Sequence, residues 1–563
     1  MDRERPLHVP TSHDAICNLY DEDHITANSF RASNVSEDES FCSYFLGLIK
    51  QFKDCRALTD PDTGVCLNYE QFVRAVVEML DALRRIGIQK GEVIGTLCGN
   101  STEFIIFCLA ALGLGSAVLP LNPAYTSNEI DKYFLQANVH WVLTELQYFD
   151  KLCTTKLSRS EAVFIVLDAS DTTIRYYGLL EYLNALPECK LQQPYQFAKG
   201  AFIFYSSGTS GPPKAVVIGN KQLISTVKTA RTAPRISHGK YQLPQIDQDD
   251  VVYGVLPYFH AGGLLTTLCM LAVGANTIVN GKFNENLFFN TIVAFKVTIL
   301  NIVPSLLLII DKWDEEKFSQ LSCMRYIFVG SSKTNPRLVK TVAEKSKIKI
   351  IELYGSTETG IINFIHPVNC QTKEGSCGIP IYGVQAKVVN VECGKECGPS
   401  EIGELWLQAP TVMEHYLEGV ISNQKNIIPP SKTTEGEDSW FHTGDLAYYD
   451  NEKFFYITGK VKEVIKVRGW QVSPYELEEE LMKINAVMDC AVIGVPDAIN
   501  GQLPKAYVVL KPGATISEAE INSYMSGRVS SYKQLTGGIT FVSSLPKTPS
   551  GKTAKHLITK CLD

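Results

Sequence analysis

The chain has no surplus of positive charge: 53 Lys and Arg face 60 Asp and Glu over 563 residues, a formal net charge of −7. This balance argues against a nucleic-acid partner, whose binding surface would be basic. An anionic small molecule must instead be held by local donors against an acidic background. No secretory leader is expected, because residues 1–23 are polar and rich in acidic groups, and the same acidity speaks against a mitochondrial presequence. The last residues, Lys560-Cys561-Leu562-Asp563, are not a Ser-Lys-Leu address, so the cytosol is the default location and a peroxisome would need another route. There is no disulfide framework either. Sixteen cysteines are scattered from Cys17 to Cys561 in a chain far longer than small secreted proteins, a pattern that reads as reduced thiols. Internal repeats and the Gly-x4-Gly-Lys-Ser/Thr spacing are also missing.

Long apolar runs are scarce. Phe104–Leu121 is uncharged and near the lower limit for a membrane span, but Gly113, Gly115, Ser116 and Pro120 divide it. A helix from Ser101 to about Leu112 and a short buried strand are expected there, with no transmembrane segment. Among Cys370, Cys377, Cys393 and Cys397 only the last pair approaches zinc-ligand spacing, so free loop thiols are the expectation.

What is present points to a multidomain α/β protein. The length exceeds one hydrophobic core, and 45% apolar residues suit a globular chain. Tyr69–Ile86 places Phe72, Val76, Met79, Leu80 and Leu83 at helical spacing. Short apolar strands follow at Glu92–Cys98, Ala117–Leu121, Val163–Leu167, Ala201–Tyr205, Val251–Leu256, Thr298–Val303 and Tyr326–Val329, alternating with helices. Such alternation predicts helices over largely parallel sheets. Residues 381–425 read as a small β-rich subdomain. After Gly459 a stretch rich in Lys and Arg leads into an acidic helix at Pro474–Ile484 and a compact α+β unit. The expected domains are 1–461 and a small mobile 462–563.

Five segments carry the chemistry. In Ala201–Asn220 a buried strand runs into Ser206, Ser207, Gly208, Thr209, Ser210, Gly211, Pro212, Pro213 and Lys214. Glycines there admit backbone N–H groups to an anion, hydroxyls donate and the lysine adds charge; an ordinary Gly/Ser turn is the plain alternative. Tyr354-Gly355-Ser356-Thr357-Glu358-Thr359-Gly360 sets a carboxylate in a small-residue loop, as a cation ligand or a solvated group. Phe441-His442-Thr443-Gly444-Asp445 puts a short carboxylate on a Gly turn, with His442 expected to pack rather than react. Gly459-Lys460-Val461-Lys462-Glu463, then Val467-Arg468-Gly469-Trp470-Gln471-Val472, would alone read as a solvated basic face. In Leu545–Lys552 two prolines and a glycine present a single lysine, Lys552.

Together and in this order, from about Leu67 to Ile558, the segments resemble the superfamily of acyl- and aryl-CoA synthetases, peptide-synthetase adenylation domains and beetle luciferases, the AMP-binding enzymes. The chain looks most like their 4-coumarate–CoA ligase and medium- or long-chain acyl-CoA ligase branch. The resemblance implies that residues 206–211 and Lys214 bind the phosphates of ATP, with Ser331, Tyr354, Gly355, Asp445, Lys460 and Gln471 completing the nucleotide site. Tyr354 would pack on adenine, Thr357 donate to the α-phosphate, Glu358 hold Mg²⁺ and Asp445 accept from the ribose. Lys460 stands where the family has arginine and lacks its planar fork. Lys462 would be the hinge, and Arg468, Gly469 and Trp470 would border the coenzyme A channel. Lys552 would neutralise charge on the reacting carboxylate and α-phosphate. Pro257-Tyr258-Phe259-His260 resembles the segment whose histidine lines the carboxylate and thiol end, although a lone histidine is also an ordinary polar group. Gly262, Gly263 and Ser332 would line the acyl pocket, and the two glycines suggest room for a fatty or bulky acid. Ala215, Asn220, Lys333, Thr334, Ala409 and His415 depart from the family's usual residues.

The implied activity is that of an ATP-dependent acid–CoA ligase, which forms an acyl-adenylate with release of pyrophosphate and transfers the acyl group to coenzyme A. The alternatives are delivery to a carrier protein, luciferase-like oxidation, or a catalytically inactive acyl- or nucleotide-binding homologue. Retention of Lys214, Glu358, Asp445 and Lys552 together argues against the last. No oligomeric state is assigned.

Overall fold

The computed structural model describes residues 25–26, 39–156, 162–167, 199–206, 213–235, 239–281, 283–417, 440–467, 470–497, 499–526, 528–547, 553–555 and 557–558. The helix Tyr69–Arg85 begins where Asn68 and Gln71 form a reciprocal capping box. The face carrying Phe72, Val76, Met79, Leu80 and Leu83 is buried. It packs on the helix Thr102–Leu114, which is N-capped by Ser101 and stopped by Gly115 in the left-handed region at φ +82°. Only Glu103 of that second helix escapes burial, because the helix Phe41–Ile49 covers it as well. Burial among helices, rather than lipid, explains the apolar run. Among the described residues no helix is long and apolar enough to cross a membrane.

Two mostly parallel sheets and one antiparallel sheet build the larger domain. The first sheet runs in the spatial order His415–Tyr416, Lys214–Ile218, Ala201–Ser206, Ala117–Pro120, Val93–Leu97, Trp141–Thr144 and Val163–Val166. Among the described residues the second has nine strands. Its parallel centre is Lys349–Ser356, Tyr326–Val329, Ile299–Ile302, Val251–Gly254, Asn276–Val279 and Arg56–Thr59. Antiparallel strands close both of its ends. The β-rich part is an antiparallel sheet of Ile25–Thr26, Gln385–Val389, Gly403–Gln408, Phe441–Tyr449 and Phe455–Lys460. The expected β-rich region therefore extends well past residue 425, and His415–Tyr416 leaves it to pair with the first sheet.

A smaller α+β domain follows. The hairpin Ile465–Val467/Trp470–Val472 joins the long antiparallel pair Val487–Asp497/Gly501–Leu510, and Ile539–Phe541 adds in parallel. Its core gathers Ile465, Leu477, Leu481, Val492, Val508, Ile521 and Met525. Cys370, Cys377, Cys393 and Cys397 carry free thiols.

Candidate active site

The phosphate-loop segment enters and leaves on paired strands. Ser206 faces Lys214 across the antiparallel register, and its hydroxyl donates to the Lys214 carbonyl at 3.4 Å. Ser207, Gly208, Thr209, Ser210 and Gly211 lie outside the described residues. The Lys214 ammonium sits 4.7 Å from the centre of the Tyr416 ring, and the Tyr416 hydroxyl donates to the Glu358 carboxylate at 3.5 Å. Two backbone features bring them together: His415–Tyr416 pairs with Val216–Val217, and the Met413 N–H donates to the Glu358 carbonyl at 2.7 Å. Burial, then the neighbouring Glu358 carboxylate, pushes the Tyr416 phenol far up, so it stays a donor. Sequence reading passed over Tyr416; its only signal was an aromatic residue six places after a Pro-Thr turn.

Glu358 hangs from a tight loop. The Ser356 and Thr359 hydroxyls lie 2.9 Å apart, Thr359 N–H donates to Ser356 Oγ, and Thr411 donates to the Thr359 carbonyl at 2.8 Å. A Cβ on Gly355 would fall 2.3 Å from the Ile361 carbonyl oxygen, so this position accepts only glycine without moving backbone.

Upstream on the same strand, the Tyr354 hydroxyl donates to Asp445 Oδ2 at 2.7 Å, and Lys460 Nζ holds Oδ1 at 2.5 Å. Asp445 and Lys460 are cross-strand partners, which fixes this pairing by register. Gly444 turns the chain at φ +69°, and Asp445 N–H donates to Thr443 Oγ1. Burial works against the Lys460 charge, yet Asp445, then Glu463 and Glu358, outweigh it and hold the ammonium above its ordinary value. Burial, followed by Asp445, keeps the Tyr354 phenol protonated. Two residues earlier, burial pushes the Glu352 carboxyl up to about 8 despite the Lys333 ammonium.

The pattern of phosphate-loop hairpin, loop carboxylate and strand-borne aspartate agrees with comparison to known proteins. A family model described as AMP-binding enzyme matches residues 48–417, and one for the AMP-binding enzyme C-terminal domain matches 476–552. The chain belongs to the AMP-binding enzyme family. The enzyme is 32% identical over 510 residues to a peroxisomal OPC-8:0-CoA ligase of Arabidopsis thaliana, covering 90% of each chain. It is 30% identical to a luciferin 4-monooxygenase of Nipponoluciola cruciata, covering 90% of this chain and 91% of that one. Among solved structures, ATP-bound MatB from Rhodopseudomonas palustris superposes with a TM-score of 0.80 at 25% identity, covering 92% of this chain and 98% of that one. The enzyme is of the AMP-forming acid–CoA ligase type that its motifs led us to expect.

His260 is the N-cap of the helix Ala261–Ala272, half-buried with its ring 4.6 Å from Phe259. Asn100 aims that loop: it accepts from Tyr258 N–H at 2.8 Å and donates to the Leu256 carbonyl at 2.9 Å. Sequence reading missed Asn100, since its partners lie more than 150 residues away. The two glycines beyond His260 differ. A Cβ on Gly262 would meet nothing within 4 Å, whereas one on Gly263 would fall 2.1 Å from the Pro257 carbonyl oxygen. Gly263 is thus small so that the helix can touch its own entry loop.

Ser331 and Ser332 are exposed, with Ser331 in the left-handed region at φ +74°. Lys333, one of the departures, pairs with Glu479 of the smaller domain at 3.1 Å. Asn220 replaces histidine with a two-way clamp: its side chain accepts from Phe41 N–H and donates to the Glu39 carbonyl. The His442 ring stacks 3.8 Å from Trp406, as a packing residue would. Lys462 lies in the 3₁₀ turn Val461–Glu463, and Trp470 and Gln471 lie on the strand Trp470–Val472. Arg468, Gly469 and Lys552 fall outside the described residues.

Proposed function

We propose that this enzyme activates a fatty or bulky carboxylic acid with ATP, releasing pyrophosphate, and passes the acyl group to coenzyme A. The observation that carries the reading is the meeting of Lys214, Tyr416 and Glu358 at one end of a strand-loop whose other end presents Tyr354, Asp445 and Lys460. A triphosphate fits the first cluster and a ribose the second. Each Asp445 oxygen has a second lone pair, so it can accept from a ribose hydroxyl while keeping Tyr354 and Lys460.

The substrate carboxylate oxygen attacks the α-phosphorus in line, and the bond to the pyrophosphate oxygen breaks. The protein contributes position and charge rather than covalent chemistry. Lys214 and the loop donors hold the phosphates, Thr357 donates to the α-phosphate, and Lys552 neutralises the charge that gathers there. Glu358 fits Mg²⁺: among the described residues its carboxylate accepts only a long hydrogen bond from Tyr416, and one carboxylate plus phosphate oxygens suits that cation. When bound, Mg²⁺ would supply further charge neutralisation on the phosphates. In the second half-reaction the coenzyme A sulfur attacks the acyl carbon, the carbon–oxygen bond to AMP breaks, and the thiol proton leaves to solvent. Residues 462–563 turn about Lys462 between the two steps, bringing Gln471 and the Arg468-Gly469-Trp470 channel to the adenylate in place of Lys552.

His260 lines the carboxylate end, and the open space beside Gly262 supports a substantial acyl group. The OPC-8:0-CoA ligase relative favours coenzyme A as acceptor; the luciferin monooxygenase relative keeps oxidation as the second reading. We place the enzyme in the cytosol, in keeping with free thiols at all the described cysteines; a fluorescent fusion gathering in peroxisomes would overturn this.

The test is pyrophosphate release with MgATP across acids from acetate to long-chain and hydroxycinnamic types, with and without coenzyme A. Acid-dependent release accelerated by coenzyme A, and reduced ~10²–10³-fold in Lys552→Ala, is the expected result. Release indifferent to coenzyme A transfers support to the oxidation or carrier reading, and silence across the panel rejects catalysis.

A further inference from the structure

Lys555 is a buried cation that the activation chemistry does not use. Its ammonium lies 2.8 Å from Glu478 and 3.3 Å from Glu463, with side-chain exposures of only 12%, 15% and 11% for the three residues. It also sits 4.4 Å from the centre of the Tyr475 ring. Burial opposes its charge, and Glu478 and Glu463 overcome that opposition. Glu478 is itself anchored by Val492 N–H at 2.7 Å. A buried ion group of this kind costs desolvation and adds little net stability, so its value lies in fixing one geometry.

The elements it joins are telling. Glu463 ends the hinge turn Val461–Glu463, Tyr475 and Glu478 belong to the helix Pro474–Met482, and Lys555 lies in the C-terminal segment. The helix also reaches the larger domain. A Cβ on Gly459 would lie 3.2 Å from the Tyr475 ring, and the neighbouring Ser473 donates to the Thr458 carbonyl at 2.8 Å. Three residues before Glu463 stands Lys460, held on Asp445. A line of alternating charge, Asp445, Lys460, Glu463, Lys555 and Glu478, thus runs from the nucleotide site to the C-terminal segment. That segment is pinned again beside Lys555: Ala554 N–H donates to the Pro546 carbonyl at 2.8 Å, Lys547 and Thr553 form a bridge, and Lys547 pairs with Asp489 at 2.7 Å.

We propose that Lys555 is a positioning residue for adenylation, locking the C-terminal segment to the hinge turn and to the helix Pro474–Met482 so that they move as one body. This rests on the proposed function, in which Lys552, three residues earlier, acts in that half-reaction. Acyl transfer to coenzyme A draws on the hairpin Ile465–Val467/Trp470–Val472, which its own register and the strand Gly501–Leu510 hold without Lys555.

The test separates the half-reactions. Lys555→Met leaves two buried carboxylates facing one another, so it is made together with Glu478→Gln, and Lys555→Arg is made alone. Adenylation is read by ATP–pyrophosphate exchange with octanoate, or cinnamate where the acid panel favours it; acyl transfer is read from the matching synthetic acyl-adenylate and coenzyme A. The double variant should lose ~10²-fold in exchange, as misplacement of a reacting group does, and keep acyl transfer within about threefold, while Lys555→Arg keeps most of both. Equal losses in the two half-reactions, or no loss in exchange, overturn the proposal. Lys552→Ala runs alongside: full exchange in that variant rejects the assigned role of Lys552, whereas its loss beside full exchange in the double variant rejects the positioning role alone.

Discussion

Glu352 offers the sharpest test of how the nucleotide side of the enzyme is built. It stands in the strand Lys349–Ser356, two residues before Tyr354, and is only 9% exposed. Burial lifts its carboxyl from 4.5 to about 8, with Lys333 opposing. Between those values the unfolded chain has released a proton that the folded protein keeps. Stability is therefore fully present below about pH 4.5 and declines as pH rises toward 8, at up to ~1.4 kcal/mol per pH unit. At pH 7 the accumulated loss is on the order of 3 kcal/mol. Glu352→Gln has the same shape and cannot ionise, so it removes the loss. The two proteins should melt within about 1–2 °C of each other at pH 5, where the loss is still only ~0.8 kcal/mol, and the variant should melt higher by roughly 5 °C near pH 7.5, since the ~2–4 °C per kcal/mol of 150–250-residue domains shrinks in a chain of this length. Scanning calorimetry or fluorescence melting from pH 5 to 8 measures the divergence. Parallel curves across that range would refute a neutral, buried Glu352.

Two further outcomes concern glycines. Gly355→Ala must push its loop away from the Ile361 carbonyl and carry Tyr354 and Glu358 with it, so acid-dependent pyrophosphate release should fall ~10²-fold; an unchanged rate would mean the loop relaxes freely. Gly262→Leu fills open space beside His260, so kcat/KM for the longest accepted acid should fall by ~10–200-fold while short acids keep theirs. A uniform fall across chain lengths would remove Gly262 from the pocket.

Much of this molecule was legible before any coordinates. The helix Tyr69–Arg85 is set by local periodicity and its Asn68 cap, and the strand Tyr326–Val329 by a short apolar run between turns. The chemistry-bearing segments were legible too, because their residue types and spacing are local. The cross-connections were not. Tyr416 reaches Glu358 only because a two-residue strand leaves one sheet for another. Asn220 looked like a lost histidine, and its purpose appears only with Glu39 and Phe41, about 180 residues earlier. Gly262 and Gly263 are adjacent and identical in sequence, yet one faces space and the other a carbonyl. Lys555 has no local signal in the sequence, and only its two distant carboxylates set it apart. Apart from Gly263, whose neighbour Pro257 is six residues away, the deciding partner is remote in sequence, and no local pattern encodes it.

The pairing of His415–Tyr416 with Lys214–Ile218, and of Asp445 with Lys460, has a consequence for the newborn chain. The strand that follows the phosphate loop is made early, but its edge stays bare until about 200 more residues have been joined, and the Asp445–Lys460 pair is completed later still. At ~5–20 residues per second those residues take roughly 10 to 40 s. Throughout that time an apolar strand edge is open to other chains, and ATP has no complete site to bind and thereby to stabilise the fold. Co-translational chaperones should therefore matter most over this stretch of synthesis, and nucleotide can help the protein only once the ribosome has passed residue 460.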